Sequence, residues 1–144
     1  MTVTEIRTML LNTIRQIRAF CHVACSSLAE HKSIQRSSDG VHFVIPIPSP
    51  PGKDGACLLL PIEGDGELRR LTWCDDAHHG GSYSEQENVV PVDELTGAID
   101  SAYKTARAAA ELAVREQLQR EAQERRENEV QRRLGVLVGF FHGQ

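Results

Sequence analysis

The apolar residues at the beginning of the chain follow a helical period. Between residues 2 and 31 they recur at spacings of three and four, at Val3, Ile6, Leu10, Ile14, Ile17, Cys21, Ala24 and Leu28. This period places them on one stripe of an α-helix. Thr2 followed by Glu5 fits a capping box, in which each side chain bonds to the other residue's amide. The turn-forming residues 37–40 stop any continuation, so we predict an amphipathic helix over 2–31.

The middle of the chain changes to short runs that are rich in β-branched and aliphatic residues. Residues 41–47, 56–62 and 67–74 each predict a strand. Pro46 and Pro61 lack an amide donor, so we expect these strands to bend or to lie at an edge there. The polar residues 75–88 predict a mobile loop, and residues 89–92 a short extended segment or a fourth edge strand. Short connections favour an antiparallel meander of three to four strands.

Residues 93–134 predict one long helix with Asp93 as its N-cap. About 42 residues give a rod of roughly 63 Å, longer than a compact domain of this size, so part of the helix should project or meet another chain. A heptad frame identifies the expected coiled-coil oligomerisation contacts, which are Leu95, Ile99, Ala102, Ala106, Ala109 and Ala113. The middle is polar, with Glu–Arg pairs four residues apart at Glu111–Arg115, Glu116–Arg120, Glu121–Arg125 and Glu129–Arg133.

The last eleven residues are apolar, and two glycines, Gly135 and Gly139, are expected to interrupt the helix there. Exposed apolar groups on a free end usually mark an interface. The predicted partner-binding residues are Leu134, Val136, Leu137, Val138, Phe140 and Phe141. Three interpretations stay open: packing on the chain's own sheet or in an oligomer, docking on a partner as a strand or in a groove, and insertion at a membrane surface.

These patterns together predict an α+β fold in the order helix, β-meander, long helix. Residues 1–92 would form the core, 93–134 the long helix and 135–144 the apolar tail. The 144 residues suffice for one domain. No apolar run is long enough to span a bilayer, and the N-terminus does not resemble a secretory signal. Four cysteines are too few for a disulfide scaffold in a chain of this length, so we expect a cytoplasmic protein with free thiols.

Charge is unevenly distributed although the net charge is only −4. Residues 1–38 carry +3, residues 39–94 carry −8 and residues 95–144 carry +1. Nucleic-acid binding needs a basic surface that is not neutralised. The six arginines of residues 115–133 alternate with five glutamates, so no nucleic-acid partner is expected.

The best candidate for chemistry is a zinc site formed by Cys21, Cys25, Cys74 and His78. Zinc takes thiolate and imidazole ligands, and both Cys21 with Cys25 and Cys74 with His78 are four residues apart. No known zinc pattern has this spacing, and the alternative is that the helix cysteines are small core residues. Cys74 with His78 or His79 could also pair as nucleophile and base, but nothing recognisable would orient them.

The leading hypothesis is a non-catalytic assembly or adaptor protein without a cofactor. It would form a homodimer or higher oligomer through the long helix and dock another protein through the apolar tail. One alternative is a small zinc-binding regulatory domain around Cys74 and His78. A further alternative is an enzyme of unknown class, with its site in the sheet and the 75–88 loop.

Overall fold

A computed structural model describes residues 2–27, 32–75 and 81–142 of the chain. Two helices flank five strands in sequence: α1 (Val3–Cys25), β1 (Gln35–Arg36), β2 (His42–Ile47), β3 (Gly55–Pro61), β4 (Arg69–Asp75), β5 (Tyr83–Val89) and α2 (Val92–His142). The predicted α+β order of helix, meander and long helix is confirmed. The sheet has five strands in the described residues, rather than three to four.

The sheet is an antiparallel meander in which each strand pairs with its neighbours in the chain, in the order β1-β2-β3-β4-β5. β5 occupies most of the segment that we predicted to be a loop, so that prediction is wrong for residues 83–88. All seven residues of β5 are exposed, and most of them are polar. Pairing with β4, and not the composition of the segment, explains why these residues form a strand. β4 offers a seven-residue edge, from Asp75 opposite Tyr83 to Arg69 opposite Val89. Residues 76–80 lie outside the described part.

The two strand prolines lie where the sheet is paired on one side only. β1 pairs with Val44 and Phe43 of β2, so Pro46 is beyond the reach of β1. β4 pairs with β3 between Gly55 and Leu59, and Pro61 follows that paired stretch. Since a proline cannot donate to a ladder, these are the positions where the missing amide does least harm. The expectation that Pro46 lies at an edge is confirmed.

α1 begins with the predicted capping box. The Thr2 hydroxyl accepts from the Glu5 amide at 3.1 Å, and the Glu5 carboxylate accepts from the Thr2 amide at 3.1 Å. Arg18 ties the helix to the turn after β3, because its guanidinium donates to the carbonyls of Pro61 (2.9 Å) and Gly64 (2.6 Å). α1 ends at Cys25, earlier than predicted, and residues 28–31 lie outside the described part.

Both helices pack on one face of the sheet. The shared core joins the buried side chains of α1, β2, β3 and the beginning of α2, among them Ile17, Cys21, Phe43, Ile45, Leu58, Leu60, Ala102 and Ala106. Small residues on α2 let it come close to α1, and the rings of Phe20 and Tyr103 meet edge to face at 5.6 Å. This layer holds one end of α2 firmly.

α2 continues to His142 through both glycines, so the predicted end of the helix at 134 is wrong. A glycine costs about 1 kcal/mol in a helix interior. Extending a helix that is already nucleated fixes one residue for each hydrogen bond gained, and such a cost does not by itself stop it. The 51 residues of α2 make a rod of about 76 Å.

Candidate interaction surfaces

The two ends of α2 have different surroundings. In the inner half, residues 92–118, the buried side chains are Ala98, Ile99, Ala102, Ala106, Ala110 and Ala113. In the outer half, residues 119–142, no side chain is buried among those that the structure describes. The outer half extends about 36 Å at 1.5 Å per residue. It is therefore the part of the chain most available to a partner.

The six predicted oligomerisation positions lie in the inner half and pack inside the chain's own core. Ile99, Ala102, Ala106 and Ala113 are buried, and Leu95 and Ala109 are half-buried against the same cluster. These positions contribute to the fold of the single chain, and the four buried ones are less accessible to a second chain than Leu95 and Ala109. Oligomerisation through this stripe stays a prediction, and the interface that we propose below does not use it.

The predicted partner-binding residues lie on the exposed end of α2. Five aliphatic side chains, which we call the tip patch, are each more than half exposed: Val130, Leu134, Val136, Leu137 and Val138. Phe140 is 66% exposed, and the side chain of Phe141 lies outside the described part. An exposed apolar group of this kind on a folded protein usually marks an interaction site.

A small ion-pair cluster lies beside the tip patch. Arg132 and Arg133 both contact the Glu129 carboxylate, at 2.7 and 3.1 Å. The hydrogen bond from Arg132, with a second from Arg133, lowers the pKa of Glu129. Two guanidinium groups share one carboxylate, so this end of α2 keeps one net positive charge.

The sheet has a second apolar surface, on the face opposite the helices. Strand register places five apolar side chains there, which we call the outer sheet face: Val44, Cys57, Leu59, Leu71 and Trp73. The same face also carries His42, Arg69 and the two strand prolines. None of them belongs to the core cluster that the helices share. The Trp73 ring lies directly over Gly55, where a Cβ atom would come within 2.1 Å of Trp73 Cζ2. Gly55 is therefore required for this ring position.

Acidic side chains of β5 border the outer sheet face. Glu87 pairs with Arg69 of β4 at 2.8 Å, and Glu85 accepts a hydrogen bond from the Tyr83 hydroxyl at 2.6 Å. Burial, and after it the nearby Glu85 carboxylate, raises the pKa of the Cys57 thiol. This surface was not predicted from the residue pattern. The available signal was β3, which is apolar without interruption from Ala56 to Leu60 instead of alternating.

The three cysteines proposed as zinc ligands lie in different surroundings. Cys21 is fully buried in the core, and burial, followed by the charge of Cys25, raises its pKa to about 12. The Cys25 thiol donates to the Ile34 carbonyl (3.6 Å), and that of Cys74 on β4 donates to the Gly52 carbonyl (3.2 Å). Among the described residues, no group of three or more His, Cys, Asp or Glu side chains could hold a metal ion. His78 and His79 lie outside the described part, and zinc binding stays a prediction.

The region proposed for an enzyme site includes a hydrogen bond between Tyr83 and Glu85, beside the Arg69–Glu87 ion pair described above. The hydrogen bond from the Tyr83 hydroxyl to Glu85 is the main cause that raises the pKa of Tyr83 to about 12. A phenol with a raised pKa is a poorer proton donor near neutral pH. Both residues are exposed on β5.

Comparisons with protein-family models, with curated proteins and with solved structures found no significant match for this chain. In the part of the chain that the structure describes, neither helix combines the length and apolar character needed to cross a membrane. The tip patch and the outer sheet face are the candidate functional surfaces of this chain.

Proposed function

We propose that this chain is a non-catalytic assembly or adaptor protein whose outer half of α2 docks on a protein partner. The observation that carries the proposal is the tip patch, a group of aliphatic side chains more than half exposed at the end of a helix whose inner half is packed in the core. The folded body anchors the inner half of α2. The polar stretch between body and tip then serves as a spacer that sets the distance of the docking element.

The helical state of the tip favours one mode of docking over another. An isolated extended tail would add a strand to a partner's sheet, whereas a preformed helix lays its side chains into an apolar groove. Leu134 and Leu137 are three residues apart and lie on neighbouring positions of the helix surface. Because the helix is already formed, binding loses less conformational entropy than it would for a disordered tail.

Burial of the tip patch would contribute part of the binding energy of such a contact. Full burial of an aliphatic side chain contributes about 1.5–3 kcal/mol relative to exposure. Val130, Leu134, Leu137 and Val138 lie on one side of the helix and are half exposed, so burying these four would contribute roughly half of that per residue. Part of this gain offsets the loss of translational and rotational freedom on association.

The test compares the full chain with a variant carrying Leu134→Glu and Leu137→Glu. Each protein is used as tagged bait in a native lysate, and the proteins retained in stoichiometric amount are quantified by mass spectrometry. We expect a partner retained by the original chain to bind the variant at least roughly 100-fold more weakly, because two charges would enter an apolar interface.

The control carries Gln119→Glu and Asn128→Asp, which adds the same charge at exposed positions of the outer half away from the tip patch. This control should retain the partner, and circular dichroism should show the same fold for all three proteins. Equal retention by the tip variant and the control would contradict the proposed docking role.

A further inference from the structure

We infer that the tip patch of one copy covers the outer sheet face of a second copy, and that two such reciprocal contacts close a two-fold dimer. The inference rests on the proposed function, since it names the partner of the tip as the chain itself. Four features of the chain support it: the apolar sheet face, the position of the tip, the distribution of charge and the area of the two surfaces.

The outer sheet face has the composition of a covered surface. An antiparallel sheet with one face in water normally alternates apolar and polar side chains along each strand. Here β3 and β4 place Leu59, Leu71 and Trp73 on the face away from the helices, and each of these side chains remains partly exposed. Helices cover the opposite face of the sheet. A further helix is the element that would most simply cover the outer sheet face.

The tip cannot cover its own sheet on this side. α1 and the inner half of α2 occupy the opposite face, and Ala113 is the last buried position of α2. Leu134 is 21 residues further along the same uninterrupted helix, about 30 Å beyond Ala113. A contact between the tip patch and an outer sheet face is therefore a contact between two chains.

The charges at the two surfaces are complementary. The described residues form no ion pair with Glu85, which leaves one uncompensated carboxylate at the border of the outer sheet face. The tip has one guanidinium group in excess, because Arg132 and Arg133 share Glu129. A helix laid across the sheet would bring this positive charge to the acidic border, and opposite charges fix orientation and register.

The areas favour a closed pair over a single contact. Val130, Leu134, Leu137 and Val138 lie on one side of the helix and leave about 350 Å² on the tip, so covering them and a similar area of the sheet would bury roughly 700 Å² for one contact. This lies below the 1,200–2,000 Å² that is typical of stable interfaces, whereas two contacts would bury about 1,400 Å². Two-fold closure is also the commonest symmetry of homo-oligomers.

The first test is the mass of the full chain in solution by light scattering after size exclusion, near 100 μM. We expect twice the 16.0 kDa of the single chain. A single-chain mass at this concentration would overturn the inference. The proposed function would survive that result if the tip variant described above still lost a different partner.

The second test separates tip-to-sheet contacts from pairing of two tips. We expect the tip variant (Leu134→Glu with Leu137→Glu) and a sheet variant (Leu71→Lys) each to be monomeric alone. In an equimolar mixture the sheet variant supplies an intact tip and the tip variant supplies an intact sheet face. Native mass spectrometry should therefore detect a mixed dimer with one contact, which binds more weakly than the dimer of the original chain. A sheet variant that stays dimeric while the tip variant does not would show tip-to-tip pairing and overturn the inference.

The third test uses charge and does not depend on whether Leu71→Lys folds. Glu85→Arg and Arg133→Glu should each weaken the dimer about 5- to 10-fold in dilution experiments, because each places like charges at the contact. The two changes in one chain should restore the dissociation constant to within about twofold. Glu124→Lys, on the polar stretch, is the control and should change it less than twofold. Effects of Glu85→Arg and Arg133→Glu that simply add would contradict the proposed contact.

Discussion

The inner and outer halves of α2 belong to one helix and differ in what stabilises them. The inner half has buried alanines and Ile99, and it packs against α1 and the sheet. The outer half has no buried side chain in the described part and relies on contacts within the helix. These include the pairs Arg132–Glu129 and Arg133–Glu129 and the side-chain hydrogen bond Gln123–Glu127.

The difference shows that helix formation and tertiary packing are separate contributions in this chain. Each surface pair adds only about 0.2–0.5 kcal/mol, so the outer half should fray and re-form on its own. The inner half should unfold only with the body of the protein. Four comparisons test this contrast, and they follow in order of decreasing expected effect.

The largest effect is expected for Ile99→Ala, which leaves a cavity in the core. This change should lower the free energy of unfolding by about 2–5 kcal/mol. Leu134→Ala removes three carbon atoms from the outer half and should change that free energy by less than about 0.5 kcal/mol. Urea denaturation of dilute, monomeric protein measures both. Similar losses for the two variants would show that the outer half is part of the cooperative core.

A smaller effect is expected from overpacking the helix contact. Ala106 is fully buried between α2 and its neighbours, so Ala106→Leu should destabilise the fold by about 1–3 kcal/mol. Ala122→Leu makes the same change at a half-exposed position of the outer half and should be nearly neutral. Thermal unfolding of the two variants gives the comparison. A neutral Ala106→Leu would mean that the helices are less closely packed than described.

Replacing helical glycines should separate global from local stability. A Cβ atom at Gly97 or Gly135 would meet nothing within 4 Å, so alanine fits at both. Gly97→Ala should raise the free energy of unfolding by about 0.5–1 kcal/mol, because the inner half unfolds with the body. Gly135→Ala should raise helix content and leave the unfolding midpoint unchanged. Hydrogen exchange across residues 130–140 would detect the local gain.

The smallest effect concerns pH and the outer half. The pKa of Glu129 is lowered chiefly by the hydrogen bond from Arg132. The stabilisation is therefore present above the ordinary pKa of the carboxyl and is lost as the pH falls through the lowered value. Helix content followed by circular dichroism should decrease slightly on acidification below about pH 4.5, the ordinary pKa of this carboxyl. Glu129→Gln should show a smaller decrease, and an equal decrease would assign the effect to other carboxyls.

Much of the fold could be predicted from residue patterns. This works where one side of a helix or strand is buried along its whole length, because the apolar residues then recur with the period of that element. The stripe containing Ile17 and Cys21 predicted α1 and its buried face, and the turn residues predicted the meander. β5 could not be predicted in this way. Its side chains are exposed and polar, so its strand state depends on the hydrogen bonds that β4 offers. The composition of residues 83–89 does not indicate that a neighbouring strand pairs with them.

The candidate sites were predicted less completely than the fold. The apolar tip residues were identified from composition, although their helical state was not, because the two glycines suggested an interruption. The heptad positions were correctly recognised as an apolar stripe, but a stripe does not say which element covers it, and α1 with the sheet covers this one. The outer sheet face was missed because Cys57, Leu71 and Trp73 come together only through strand register.

The sequence by itself determined the elements that depend on local order: the capped first helix, the turns between strands and the long charged helix. The sequence also determined that residues 134–141 are rich in apolar side chains, because composition does not depend on packing. Tertiary structure alone decided that the alanine stripe packs within the chain and that apolar side chains of β2, β3 and β4 come together on the face away from the helices. The physical reason is that burial depends on which surfaces meet, and residues distant in the sequence decide that.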